Sequence, residues 1–340
     1  MKSYLFPSVL EKHGEELKNV FDELIKGMKI YHEDEAYLVG DLALIEGTSP
    51  HKVVNSSPLD SDYRILSKAA ALLASTQINK PLNITVGFPY STYHANRGLA
   101  VDFFKGKHEI FYDLFAFERN FTKKVEVEIE SVDVIPEILG CSFAVRNHFN
   151  SPENCFVVNM GYGTFEACLT NNYGLVDRTV ISTNGIKYAV EDCMKELNKK
   201  YYLGLRTSHK FDTYFQRGSI MVNRRHLDFS EIKMDSLKKY YNEVISPAIR
   251  NTWSDDDFDN TRKLYMAGGG SNFPEIVRFF QEEFKDILDV EVIPDPHLSV
   301  SRGYYLRSMK LTNDKDTAVG IDIGNAQTVV TYGVPQYLQM

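Results

Sequence analysis

Near the C-terminal end, Ala318-Val-Gly-Ile-Asp322-Ile-Gly324-Asn325-Ala-Gln327-Thr328-Val-Val reads as an apolar strand, a tight Gly/Asn turn and a second apolar strand, with a carboxylate at the bend. A carboxylate left unpaired in so apolar a run is costly, so Asp322 should face a hydrogen-bonding shell or a cation. Glycine beside it lets backbone N–H groups approach an anion closely, which suits a phosphate. The alternative is a plain β-hairpin.

Two further segments share the pattern. Cys155-Phe-Val-Val-Asn159-Met-Gly161-Tyr162-Gly163-Thr164-Phe-Glu166-Ala-Cys-Leu again ends an apolar strand in a polar residue and turns on glycines. Its second half alternates Phe165, Ala167 and Leu169, the period of a half-buried strand. Lys263-Leu-Tyr-Met-Ala-Gly268-Gly269-Gly270-Ser271-Asn272-Phe-Pro-Glu275 is an apolar strand running into three glycines and a helix start, where Asn272 and Glu275 read as a capping box. Glycines before a helix N-terminus let a flat or anionic ligand lie against backbone; a plain strand-to-helix loop is the simpler alternative.

Together these segments resemble the actin-like ATPase superfamily, which includes chaperone ATPase domains and sugar kinases. The Asp322 hairpin is similar to the first phosphate loop in its MreB style, Asn159 to Glu166 to the second, and Ala267 to Ser271 to the adenosine-binding glycines. Val134-Ile-Pro136-Glu137 to Ala144 resembles the Pro-Glu segment of ParM and MreB that holds the water-polarising acid. Tyr37 to Ala43 and Ile84 to Tyr90 resemble two further ParM-like strands, so the likeness spans nearly the whole chain.

The order departs from the family's. There the first phosphate loop opens the chain, whereas here Asp322 follows every other segment, as in a circular permutation. Phe6-Pro7-Ser8 is similar to the segment that follows the first hairpin in ParM-type chains, as though Val334 once ran on into Met1. Leu298 to Leu306 resembles the family's final helix, and Leu311 to Asp316 is the short polar linker that would join it to the moved strand.

The resemblance implies an α/β fold of two related domains, each with a mixed five-stranded sheet flanked by helices and with the nucleotide in a cleft between them. Domain I comprises 1–150 plus 297–340, with the phosphate hairpin at 317–333, and domain II comprises 151–296. It implies Mg²⁺ with ATP, or GTP in its place. Asp322 holds the metal's water shell, and Gly324, Asn325, Gln327 and Thr328 wrap the phosphates. Asn159, Gly161, Tyr162, Gly163 and Thr164 bind from the other side, Gly268, Gly269, Gly270 and Ser271 line the adenosine, and Glu137 orients the attacking water. Asn159 stands where most relatives have Asp, which keeps an acceptor but loses a charge near the metal, so slow hydrolysis is expected. Tyr162 replaces a usual glycine.

Composition narrows the setting. The 340 residues, 43% hydrophobic and 25% charged, suffice for two globular domains. The N-terminus lacks the succession of a signal peptide and no apolar run is long enough to cross a bilayer, so a cytoplasmic protein without membrane insertion is expected. Four dispersed cysteines read as buried thiols rather than a zinc knuckle. A net charge of −8 argues against direct DNA binding, so any DNA cargo implies an adaptor protein. Helices are expected over Ser8 to Lys29 with a Ser8/Glu11 capping box and Leu17, Val20, Phe21, Leu24 and Ile25 on one face, over Asp62 to Ala74 and over Ala189 to Lys200. Another is expected over Asp235 to Ile249, kinked at Pro247, and a strand over Val125 to Ile129.

By resemblance the function is that of a ParM-like ATPase assembling into nucleotide-dependent filaments for plasmid segregation or cytoskeletal positioning. A nonpolymerising scaffold of FtsA or PilM type and a small-molecule kinase of the same superfamily are the alternatives.

Overall fold

The computed structural model describes residues 1–15, 17, 23–52, 57–116, 119–151, 153–201, 203 and 208–333. In chain order the strands are β1 (Lys2–Pro7), β2 (Val9–Lys12), β3 (Met28–His32), β4 (Glu35–Val39), β5 (His51–Lys52), β6 (Leu82–Phe88), β7 (Gly106–Ala116), β8 (Arg119–Pro136), β9 (Cys155–Met160), β10 (Thr164–Asn171), β11 (Gly174–Leu175), β12 (Ile181–Asn184), β13 (Ser219–Val222), β14 (Arg225–Asp228), β15 (Lys263–Ala267), β16 (Asp289–Val292), β17 (Ala318–Ile323) and β18 (Gln327–Tyr332). The helices are α1 (Asp41–Glu46), α2 (Ser61–Ser75), α3 (Tyr90–Phe104), α4 (Glu137–Phe149), α5 (Lys187–Asn198), α6 (Ser208–Arg217), α7 (Ser230–Tyr240), α8 (Ser246–Thr252), α9 (Asp255–Asp259), α10 (Pro274–Glu283) and α11 (Ser299–Leu311). They form two compact α/β units, Met1–Phe143 with Val300–Met340, and Ala144–Ser299.

The first unit is built on a ten-stranded sheet in the order β1-β18-β17-β6-β8-β7-β3-β4-β2-β5. The C-terminal hairpin β17–β18 is antiparallel, β1 adds antiparallel to β18, and β6 and β8 continue from β17 in parallel. The chain's first strand thus completes a meander that its last two begin. The sheet exceeds the five strands implied by resemblance because β8 runs on beyond β6 and pairs with the whole of β7, which passes the ladder to β3 and β4. β6 is buried almost throughout, Asn83 and Thr85 included, as a central parallel strand must be. Alternation in β8 puts Val127 and Ile129 inside and Glu126 and Glu128 outside. Helix α2 contributes Leu66, Ala70 and Leu73 to the core that includes Ile84, Ile321 and Val330 of the sheet.

The second unit has a six-stranded sheet, β11-β10-β9-β15-β16 with β12 beside β10. β9, β15 and β16 are parallel, and β10 is antiparallel to β9. Its core is aromatic: Phe156 stacks on Trp253 with centroids 4.0 Å apart, and Phe280 lies against Phe165 and Phe284. Burying side chains of this size contributes about 1.5–3 kcal/mol each.

Several local expectations are corrected. Ser8 to Lys29 is not a helix: the Ser8 N–H donates to the Ala326 carbonyl, Val9–Lys12 and Met28–His32 are strands, and Leu24 and Ile25 sit in a single 3-10 turn. Val20 and Phe21 lie outside the described residues. The strand from Thr164 is buried on both faces, because Glu166 and Cys168 are as inaccessible as Phe165 and Ala167. Asn272 does not cap a helix; α10 starts at Pro274, and Glu275 pairs instead with Lys233 at 3.1 Å. The helix expected through Ile249 is interrupted by a π turn at Tyr241–Ile245, one turn before Pro247, whose missing N–H cannot serve the carbonyl four residues back. The helices Asp62 to Ala74 and Ala189 to Lys200 correspond to α2 and α5. All four cysteines are buried free thiols.

Within the first unit α4 and α11 cross at glycines: a Cβ on Gly303 would fall inside the backbone of Gly140, and one on Gly140 would strike the ring of Tyr304. Tyr304 is wholly buried there. Gly303→Ala is therefore expected to destabilise the protein by about 2–4 kcal/mol in urea denaturation. An unchanged midpoint would mean that the two helices separate without cost.

Candidate functional site

The turn between β9 and β10 is held from behind by backbone. The carbonyls of Gly161, Tyr162 and Gly163 accept hydrogen bonds from the N–H groups of Ile186, Lys187 and Gly185, at 3.1, 2.9 and 3.0 Å. In a trans peptide the C=O and the following N–H point in opposite directions. Fixing three successive carbonyls therefore turns the N–H groups of Tyr162, Gly163 and Thr164 to the other side, the arrangement that makes an anion-binding concavity. Gly185 can pack this closely because it has no Cβ; one would lie 2.6 Å from the Gly161 and Tyr162 carbonyl oxygens. Residues 161–164 keep part of their surface open.

β15 ends beside this turn. Ala267 is in register with Asn159, and Gly268 follows with φ +80°, where a Cβ would meet the Asn159 Oδ1 at 2.6 Å. Gly270 is packed on Met160, while Gly269 is exposed. Gly268 and Gly270 thus seat the loop on β9, and Gly269 remains to face a ligand. Ser271 is buried and its Oγ donates to the Ala267 carbonyl at 2.7 Å, closing a 3-10 turn rather than opening toward solvent.

In the first unit β17, β6 and β8 run parallel and finish at one edge, where open α/β sheets bind ligands. Asp322 stands near the end of β17, and Glu137 opens α4 directly after β8, where the helix N-terminus favours its charge. Both are partly accessible, and both raise the pKa of the buried Tyr63 hydroxyl, after burial itself as the larger cause, so the two carboxylates share one neighbourhood. The turn that follows Asp322 is closed by Gly324 N–H to the Gln327 carbonyl at 3.1 Å, and Ala326 is held by Ser8 N–H at 3.0 Å. Crowding by protein pushes the Asp322 carboxyl up to about 7 although part of its surface is open.

The structure thus gathers Glu137, Asp322, Gly324, Asn325 and Gln327 in the first unit and Asn159, Gly161, Tyr162, Gly163, Thr164 and Gly269 in the second. Thr328 departs from expectation: it is fully buried and hydrogen-bonds the Ser8 hydroxyl at 3.0 Å, so it braces the turn. The sequence marks Ser8 as a helix cap rather than as a brace of this turn, and it does not single out Gly185 or Asp212, whose Oδ1 accepts from the Tyr162 hydroxyl at 2.9 Å. The glycine after Asn184 was the available signal for the first of these two. Among the described residues no group of three or more His, Cys, Asp or Glu could hold a metal, and no helix is long and apolar enough to cross a membrane.

Residues 1–140 match the family model for the N-terminal domain of actin-like proteins. Among solved structures the chain is similar to Ta0583, an archaeal actin homologue, at 18% identity and a TM-score of 0.70, covering 90% of this chain and 92% of that one. It is similar to the same homologue in complex with ADP, at 16% identity and a TM-score of 0.65 over 90% and 92%. It is also similar to ParM from Clostridium botulinum in a 15-stranded filament, at 16% identity and a TM-score of 0.71 over 90% and 92%. No match is found among curated protein sequences. The chain as a whole has the actin-like fold.

Proposed function

We propose that this protein binds a nucleoside triphosphate with Mg²⁺, hydrolyses it slowly, and couples nucleotide state to assembly of its own copies into filaments. The observation that carries this reading is the turn at Gly161–Thr164, whose peptide planes are fixed with their N–H groups turned away from the bracing backbone. The first unit supports it with a second glycine turn beside an acid, Asp322. The ADP complex of Ta0583 and the filament of the Clostridium botulinum ParM favour the same reading.

In this reading the backbone N–H groups of Tyr162, Gly163 and Thr164, and those of Asn325 and Gln327, contact phosphate, Gly161 and Gly324 close the two turns through their own N–H groups, and Gly269 lies against the base. With fewer than three clustered acids among the described residues, the site suits Mg²⁺ held largely through water and phosphate oxygens better than a closed protein cage. Bound there, the metal would neutralise charge on the transferred phosphoryl group. In this reading Glu137 orients the attacking water and accepts its proton. ATP and GTP both fit this chemistry. The permuted order is supported by β1 lying beside β18, and any DNA cargo would be held by an adaptor. Asn159, buried and uncharged, favours the second reading, a nucleotide-binding scaffold that neither turns over nor polymerises.

Sedimentation with and without ATP and GTP separates the two: pelleting only with nucleotide is expected, and a monomer that binds without turnover supports the scaffold. Glu137→Ala should leave nucleotide affinity within about threefold and slow turnover about 100-fold or more; an unchanged rate removes Glu137 from the chemistry.

The Asp322 carboxyl takes up a proton more readily when folded, near pH 7, than the ordinary carboxylate near 4 does when unfolded. Its stabilising contribution is thus complete below about pH 4 and is lost as pH rises through about 7. Asp322→Asn should stabilise the ligand-free protein by roughly 1–2 kcal/mol at pH 8, discounted for partial exposure, and leave it unchanged at pH 4. The same variant should lose the thermal shift that Mg²⁺-nucleotide gives the parent. Equal stability at both pH values, or a retained shift, would contradict this assignment.

A further inference from the structure

We propose that the hydrogen bond from the Tyr162 hydroxyl to Asp212 makes α6 a relay, reporting occupancy of the phosphate-binding turn to the exposed β13–β14 ribbon. The inference rests on the nucleotide reading above and adds to it a route from ligand to surface within the second unit.

Tyr162 occupies the middle of the Gly-Tyr-Gly turn. Its carbonyl is fixed by the Lys187 N–H, and its ring packs against the core of the unit. The hydroxyl donates to Asp212 Oδ1 at 2.9 Å, fifty residues along the chain. Burial pushes the phenol up to about 12, so it remains a neutral donor at ordinary pH. A reorientation of the turn around an anion therefore pulls on α6 through a directional contact to a carboxylate, the stronger class of hydrogen bond.

α6 also touches the other candidate ligand segment. Phe215 meets Phe273, the residue after the Gly269–Asn272 turn, edge to face at 5.6 Å. Phe211, one turn earlier, stacks on Phe229 at 5.7 Å. One helix thereby bears on both the phosphate turn and the glycine-rich loop.

The ribbon is attached to the end of that helix. Gly218, at φ +70°, donates to the Tyr214 carbonyl and accepts from the Phe229 N–H at 2.8 Å, so the two ends of the ribbon are pinned to the last turn of α6. β13 and β14 pair only with each other in the sheet topology, and the tip carries exposed Arg224, Arg225 and His226. A shift of α6 moves this ribbon as a body, because its base is fixed to the helix, Ile220 packs in the same core as Phe211 and Phe215, and among the described residues its strands hydrogen-bond in a sheet only with each other. Tyr162 and Asp212 are positioning residues in this scheme, acting through α6 on the ribbon.

Hydrogen exchange of the full chain, with and without a non-hydrolysable ATP analogue and Mg²⁺, tests the relay. In the parent protein the analogue should slow exchange both at 161–164 and across 219–228. Asp212→Ala, outside the turn, should retain protection at the turn and analogue affinity within about threefold, while the response of the ribbon falls about tenfold. Tyr162→Phe, which keeps the ring and its packing, should lower the ribbon response alike, and Asp212→Asn, which keeps an acceptor oxygen, should restore it. A ribbon response undiminished in Tyr162→Phe overturns the relay. A parent protein that responds at the turn and not in the ribbon overturns the relay alone. A parent protein with no response at the turn overturns the nucleotide reading and the relay with it.

Discussion

The disposition of backbone hydrogen bonds behind two turns governs what this fold can do. A peptide plane has one acceptor and one donor on opposite edges, and a neighbour that captures the acceptor decides where the donor points. At Gly161–Gly163 the captor is the start of α5, through Gly185, Ile186 and Lys187. At the C-terminal hairpin it is Ser8, whose N–H holds Ala326 and whose hydroxyl holds Thr328. In both cases the bracing group comes from a remote part of the sequence. The turns gain their geometry from tertiary structure, and a peptide of either hairpin alone would not keep it.

This explains which parts of the site were legible in the sequence. The strands before each turn announce themselves by unbroken apolar runs ending in Asp322, Asn159 and Ala267, and the glycines after them mark where a side chain would obstruct. Glu137 was legible through Pro136, which ends β8 and sets the first turn of α4. The bracing residues were not, since Ser8 lies in the chain's first strand region and Gly185 in a loop, with no periodic signal to tie either to a turn. The resemblance implies a phosphate contact for Thr328, but at the start of β18 only Gln327 is exposed, and Thr328 is buried like the rest of the strand.

The fold misreadings share a cause. Val9-Leu-Glu-Lys and Met28-Lys-Ile-Tyr-His are too short and too mixed to distinguish helix from strand by period, and the segment resolves as strand only because β4 offers a ladder to both β2 and β3. Asn272 to Glu275 has the spacing of a capping box, but Pro274 fixes the first helical turn and Lys233 draws Glu275 away. Tertiary partners outweighed local propensity at each of these places, whereas α2, with Ala69, Ala70, Ala71 and Ala74 buried, had a pattern strong enough to stand by itself.

The neutral side chain of Asn159 has a structural counterpart in β10. Asn159 is directly opposite Glu166 in the antiparallel ladder, and both are buried, at 2% and 0% exposure. Directly opposed side chains on one face lie about 4.5–5.5 Å apart at Cβ. Two carboxylates at that separation in a buried sheet would repel, and one would have to take up a proton. With asparagine at 159, the pair retains a single acid, on the neighbouring strand, and the amide can donate as well as accept. The acid at this edge of the second unit is therefore Glu166, one residue pair away from the turn at Gly161. Any ligand brought to that turn meets a neutral amide at the end of β9, with the side chain of Glu166 set behind it on the neighbouring strand.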